Sequence, residues 1–261
     1  MTGLALILVF VAAAGLIVGS YSNVVIHRLP RGLSTVWSPS GCPACGSRIP
    51  WWCNFPILSF LLLRGRCAEC RSSISWRYPM VEAFVGLLFV LSFLRFGPFW
   101  SWLWAAFFAC LLVILAMIDL EHLLLPDRIT YPGALLGWVV HPFLPWADSW
   151  FGGLLGSVVG AGILLLLYGL WFLLRKVEGL GLGDVKMMAL VGAFLGVGGA
   201  LTTLFIGTVL AACFAVPSLL SGRLSLQHRL PFGPFLALGA LISMLGPEGR
   251  WFEALAPLFS G

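Results

Sequence analysis

Apolar runs recur eight times along the chain, and no other feature limits its fold so strongly. They occupy residues 4–26, 79–94, 101–118, 129–146, 152–174, 186–197, 200–220 and 231–247. A helix that crosses a bilayer needs ~20 apolar residues, and in lipid only helices and closed barrels satisfy their own backbone. Charge is correspondingly scarce: 15 Lys+Arg and 10 Asp+Glu make up 10% of 261 residues, against ~25% in a soluble domain. The sequence therefore predicts an all-α polytopic membrane protein of about eight transmembrane helices. The same arithmetic excludes a water-soluble globule, a disordered chain, a coiled coil, a secreted disulfide scaffold and a nucleic-acid binder. The expected surroundings are the lipid bilayer, with no nucleic acid as partner.

No Lys or Arg precedes the first run, and the first basic residue, Arg28, follows it. That pattern fits a retained spanning helix at 1–26 rather than a cleaved signal peptide, which opens with a basic segment. Residues 27–78 differ in kind, with seven Arg, five Cys and no run long enough to cross. They form a polar domain outside the membrane. A seven-helix membrane domain is expected over 79–247, then a short tail, 248–261. The stretch 186–220, which Gly196-Val197-Gly198-Gly199 interrupts, is either one long helix or two short ones joined by a tight turn; Gly-Gly is a turn signal. Basic residues collect on the cytoplasmic side of membrane proteins. With eight spans and the N-terminus periplasmic, 13 of the 15 Lys and Arg fall inside, Arg223 and Arg229 among them, and only Arg95 and Arg250 outside. Merging 186–220 into one span worsens the split to 12 against 3. Eight spans is the better reading.

The polar domain reads CPACGSRIPWWCNFPILSFLLLRGRCAEC over 42–70. Two Cys-x-x-Cys pairs, Cys42/Cys45 and Cys67/Cys70, stand 21 residues apart. That is zinc-ribbon spacing: each pair sets two thiolates on one tight turn, and four thiolates close a tetrahedron. A closed site implies a structural Zn²⁺. A cytoplasmic loop keeps its thiols reduced, which argues against two disulfides. Gly46 and Gly65 suit the turns. Cys53 is a bystander, and Cys110 and Cys213, inside apolar runs, read as small core residues. Trp37, Trp51, Trp52 and Trp76, with the apolar segment 55–63, suit a domain lying against the bilayer, aromatics at headgroup level. A substrate-docking surface is compatible with that.

Ionisable groups near the bilayer interior are costly and point to function. Asp119 ends the third run in AMIDLEHLLLPD, Asp127 closes that segment, and Asp184 lies in GLGLGDVK before the sixth run. The topology places all three at one membrane face. Two neighbouring carboxyls share a proton, so one serves as base and the other as acid. The base activates water for attack on a peptide carbonyl, and the acid protonates the leaving amine. Gly179, Gly181 and Gly183 let backbone approach a second helix or an extended substrate. Plainer alternatives stay open for two of them, Asp119 paired with Arg128 and Asp184 as a solvated helix cap near Lys186, while Asp127 reads as the N-cap of the fourth span.

Six blocks occur in order: GSYSNVVIHRLP (19–30), the four-cysteine loop, RGRCAECRSSISWRYPMVEAFVG (64–86), IDLEHLLLPD (118–127), GLGLGDVKMMALVGAFLG (179–196) and LPFGPFLALGA (230–240). Together they resemble the type IV prepilin peptidases, bacterial inner-membrane aspartic proteases of the GxGD class. The resemblance implies that Asp119 and Asp184 are the catalytic pair; Asp127, Gly181, Gly183 and Lys186, in the same two blocks, are read as supporting residues. It implies cleavage of the basic leader of prepilins or type II secretion pseudopilins after a glycine, at the cytoplasmic face. It further implies methylation of the new N-terminal residue by S-adenosylmethionine, with Glu82 bearing on methyl transfer or on seating the substrate amine, and Cys42, Cys45, Cys67 and Cys70 matching the loop of bifunctional members. Cys53 stands where acidic residues are common, and Leu182 where a smaller residue is often found. Two other functions compete: a proton-coupled transporter relaying through Asp119, Glu82 and Asp184, and a non-enzymatic assembly factor that docks through its zinc loop.

Overall fold

The computed structural model describes residues 2–37, 40–42, 44–98, 100–147, 149–176, 181–222 and 230–246. Gly179, Arg223, Arg229, Arg250 and the tail 248–261 lie outside them, as does the side chain of Trp51. The elements are α1 (Thr2–Arg28), α2 (Leu58–Leu62), α3 (Arg77–Phe96), α4 (Trp100–His122), α5 (Asp127–Val140), α6 (Gly152–Arg175), α7 (Leu182–Leu220) and α8 (Gly233–Leu245), with short 3-10 turns at Leu29–Arg31, Trp51–Asn54 and His141–Phe143. Among the described residues there is no strand, only two isolated bridges in the cysteine loop. Five helices (α1, α3, α4, α6 and α7) are long and apolar enough to cross a membrane, and α8 is a shorter apolar helix. The chain forms two compact units, divided between Ile114 and Leu115 inside α4.

In the first unit α1 packs on α3. Gly15 and Gly19 repeat at four residues on α1, and a Cβ at either would stand 2.8 Å from the α3 backbone, at Gly86 and Glu82. Lipid offers no hydrophobic drive between helices, so small residues that let backbones approach do the work. The opposite face of α1, with Leu6, Val9, Phe10 and Ile17, is exposed. At the turn from α3 into α4, the Trp102 indole N–H donates to the Phe89 carbonyl (3.1 Å) and its ring meets Phe89 and Phe93 edge-on.

In the second unit α7 is the hub, packed by α5, α6 and α8. At 39 residues a straight helix would run about 58 Å, near twice the ~30 Å hydrocarbon core. It does not run straight. Gly196 takes φ +69°, ψ −170° and breaks α7 into arms 182–195 and 197–220. The arms fold back on each other: the Met188 carbonyl oxygen and the Ala200 Cβ both lie within 3.3 Å of one point, a Cβ built on Gly160 of α6. Twelve residues of straight helix would separate them by about 18 Å. A break strands helical carbonyls, and that of Phe194 is met by the Trp146 indole (2.8 Å) and by His141 Nδ1 (3.0 Å). The turn expected from the glycines at 196–199 is thus present, and each of the eight apolar runs carries helix among the described residues, the two arms of α7 counted apart. α6 reaches the first arm through Gly156 and Gly192, where a Cβ on Gly156 would meet the Gly192 oxygen at 2.4 Å.

One sequence reading needs correction here. Cys213 is exposed on the second arm of α7, beside exposed Phe214 and Val216. It sits on an outward apolar face and is not a core residue. Cys110 of α4 is buried as expected.

Candidate active site and metal centre

Asp119 sits in the last turn of α4, only 6% exposed. Leu123 ends the helix with φ +51°, its N–H donating to the Asp119 carbonyl at 2.8 Å. The following segment then carries Leu125 onto Gly183, where a Cβ would lie 3.2 Å from that of Leu125. This contact joins the 118–127 block to the start of α7. Asp184, in the first turn of α7, is 8% exposed, and its N–H donates to the carbonyl of Gly181, the residue that precedes the helix (3.1 Å). The Asp119 and Asp184 carboxyls are near enough to interact electrostatically.

A third segment completes the cluster. Gly233, the first residue of α8, donates its backbone N–H to Asp119 Oδ2 at 2.9 Å, in a buried contact. A first-turn N–H has no partner inside its own helix, and a helix N-terminus favours an anion. A Cβ at Gly233 would stand 2.7 Å from the same oxygen, so only glycine leaves the carboxylate where it is. Asp119 is therefore held by backbone rather than by Arg128.

At the edge of this cluster Lys186 Nζ meets Asp127 Oδ1 at 2.6 Å and lies 5.4 Å from the centre of the Tyr131 ring. Asp127 is the first residue of α5, after Pro126 in the capping position. The N-cap reading of Asp127 is corrected accordingly: its carboxylate pairs across to α7.

Glu82 belongs to the other unit. It is buried on α3, where its Oε2 accepts the Ile57 N–H at 2.7 Å and the side chain bonds Ser20. Ile57 holds φ +59°, a costly conformation for a β-branched residue, so Glu82 pins a strained turn just before α2.

The four cysteine sulfurs of 42, 45, 67 and 70 all lie within 4.8 Å of one another. Each pair is built on the same turn. Cys42 N–H donates to Ser47 O (2.9 Å) and Cys67 N–H to Ser72 O (2.8 Å); bridges Gly41↔Arg48 and Arg66↔Ser73 close the two. The left-handed position is Gly46 in the first turn and Arg71 in the second. Gly65, expected just before the second pair, stands there at φ +66°. The backbone N–H groups of Cys45 and Ala44, with the Ser72 hydroxyl, lower the Cys42 pKa to about 6; the Ser72 hydroxyl and N–H lower that of Cys70. Hydrogen bonds to sulfur favour the thiolate, the form that binds metal. Zn–S bonds of 2.3 Å in a tetrahedron put sulfurs about 3.8 Å apart, the separation of Cys42 and Cys70 here. The donor set fits zinc.

Two family models match the chain: the Bacterial Peptidase A24 N-terminal domain over residues 13–96 and the Type IV leader peptidase family over residues 106–216. Among similar curated proteins, one from Burkholderia pseudomallei (strain 1026b) is 36% identical over 91% of this chain and 84% of its own length. One from Aeromonas salmonicida (strain A449) is 34% identical over 91% and 90%, and one from Pseudomonas putida is 37% identical over 88% of both. Each is named prepilin leader peptidase/N-methyltransferase. The chain belongs to the type IV leader peptidase family. No solved structure matches it.

Within the family assignment, Asp119 and Asp184 fall in the leader-peptidase match, while Glu82 and the four cysteines fall in the N-terminal-domain match. Gly233 lies beyond both. The sequence reading includes its block, LPFGPFLALGA, but gives Gly233 no role, because what it contributes is a backbone N–H and the lack of a side chain. Its one signal is a glycine at the head of an apolar helix, followed by Pro234.

Proposed function

We propose that the protein is a multi-pass inner-membrane aspartic endopeptidase that removes the basic leader of prepilins or pseudopilins after a glycine and N-methylates the new terminus. The observation that carries this reading is that Asp119 and Asp184, 65 residues apart in the chain, are both buried and within electrostatic reach of each other, with the Gly233 N–H fixing the first. Like charges this close share one proton. The ionised member takes a proton from water as its oxygen attacks the scissile carbonyl; the protonated member supplies one to the tetrahedral intermediate and then to the amine. The Gly233 N–H holds one oxygen of Asp119 so that the other is free to work. Eight crossings with a periplasmic N-terminus put both carboxyls at the cytoplasmic surface, where water is available and where a prepilin helix meets its leader.

The four cysteines would hold a structural zinc, keeping two turns in register without an open coordination position for chemistry. S-adenosylmethionine, as co-substrate, supplies the methyl group. Glu82 acts in this half of the enzyme by fixing the turn at Ile57. The transporter and assembly-factor readings are not favoured by the family match. The deciding experiment incubates detergent-purified protein with a prepilin, with and without S-adenosylmethionine, and reads the product N-terminus by mass. A shortened product that gains one methyl only with the donor is expected; an intact leader would overturn the reading.

A further inference from the structure

The cysteine domain carries a feature that neither peptide cleavage nor zinc binding uses. A groove of about 390 Å³ is lined by Phe60, Arg64, Arg66, Ser73 and Trp76 among others. Its volume is in the range of small-ligand sites. Phe60 and Trp76 form one wall, rings edge to face at 4.7 Å. Arg64 and Arg66 supply two positive charges, and among the described residues neither guanidinium has a carboxylate or other side-chain partner. Arg64 also holds φ +52°, where glycine would fit without cost and the next residue, Gly65, is one. A strained arginine beside an available glycine points to a side chain that is wanted.

The depth of the groove follows from the chain. Trp76 is the residue immediately before α3, whose candidate membrane span begins at Arg77. A groove walled by Trp76 therefore lies where lipid headgroups lie, the level at which tryptophan concentrates. Beside it α2 exposes Leu58 (53%), Leu61 (59%) and Leu62 (74%). Across residues 27–78 seven Arg face a single acid, Glu69. Two unpaired guanidinia next to aromatic and aliphatic surface make an amphipathic anion site.

We propose that this groove binds the headgroup of an anionic phospholipid, Arg64 and Arg66 taking the phosphate while Trp76, Phe60 and the exposed leucines of α2 lie in the acyl boundary. Arginine suits the role because its planar fork pairs with phosphate through two hydrogen bonds.

The test uses the full-length protein in detergent micelles doped with equal phosphatidylglycerol and phosphatidylcholine, counting retained lipids by native mass spectrometry. The wild type should prefer phosphatidylglycerol by about tenfold, or roughly 1.4 kcal/mol. The double variant Arg64→Ala/Arg66→Ala should bind the two lipids alike, while Arg64→Lys/Arg66→Lys keeps most of the preference. Should the alanine variant fail to fold, 1 M salt applied to the wild type serves instead, and the preference should vanish there, since exposed charge pairs are screened. Equal retention by the wild type, or a preference that persists in the alanine variant or in high salt, overturns the proposal. So does displacement of the lipid by millimolar inorganic phosphate or by an acidic peptide, which would assign the groove to a soluble ligand.

Discussion

The four-cysteine loop and the aspartate cluster position their reactive groups by opposite means. The loop draws its four sulfurs from 29 consecutive residues, 42–70, through two turns that repeat one hydrogen-bond pattern at a spacing of 25 residues. The aspartate cluster joins residues 119, 184 and 233, from three helices, and no turn links any two of them. One site is set by local backbone, the other by helix packing. The loop should thus answer to metal removal and hardly to distant packing. The aspartates should answer to changes that move a helix by a fraction of an ångström, whether or not metal is bound.

The largest effect expected is at the aspartates. Asp119→Asn or Asp184→Asn should cut leader cleavage by about 10³-fold or more, the scale of losing general acid–base catalysis. Both variants should elute as the wild type does and keep the same zinc content. Cleavage that survives in both, followed by mass, would remove the cluster from the reaction.

Gly233→Ala comes next and asks whether packing sets the second site. The added methyl would meet Asp119 Oδ2 at 2.7 Å, so the carboxylate must move. A displacement of about 1 Å can cost on the order of 10²-fold. The loss is expected in kcat with KM nearly unchanged, because Gly233 acts through Asp119 and does not hold substrate. A change in KM alone would show that the glycine serves the binding of the leader instead.

The loop has the contrasting profile. Cys42→Ser or Cys70→Ser should take zinc, by elemental analysis of purified protein, from about one per chain for a four-thiolate site to near none. Cleavage should fall less than about tenfold, while methylation falls further, the loop lying in the domain that carries Glu82. A parallel collapse of both activities would mean the two sites are not separable.

The same contrast explains what could be read beforehand. Cysteine spacing is local information, and the loop geometry followed from it. The helical architecture was legible because lipid demands long apolar runs, and the reversal at Gly196 because successive glycines interrupt one. Packing between distant segments left weaker traces. Gly233 acts through a backbone N–H and a missing side chain, and a glycine at the head of an apolar helix is too common to mark either. Cys213 was misassigned because hydropathy is blind to the difference between a core and a lipid-facing surface: both are apolar. Asp127 was misassigned because a partner 59 residues away competes with a local cap, and Pro126 already holds the capping position.

The smallest effect expected is at the rim of the aspartate cluster, and it limits how far packing control extends. The Lys186–Asp127 pair spans α7 and α5 at 2.6 Å, which by distance alone suggests a clamp on Asp184. Its side chains are 30% and 56% exposed, however, and exposed ion pairs contribute about 0–1 kcal/mol, less in salt. Lys186→Ala, Asp127→Ala and the double variant should each lower cleavage by no more than about threefold, and the double-variant coupling should shrink as salt is raised. Loss of a hundredfold in Lys186→Ala that Asp127→Ala does not share would place the ammonium in contact with the substrate instead, making this rim part of the binding surface.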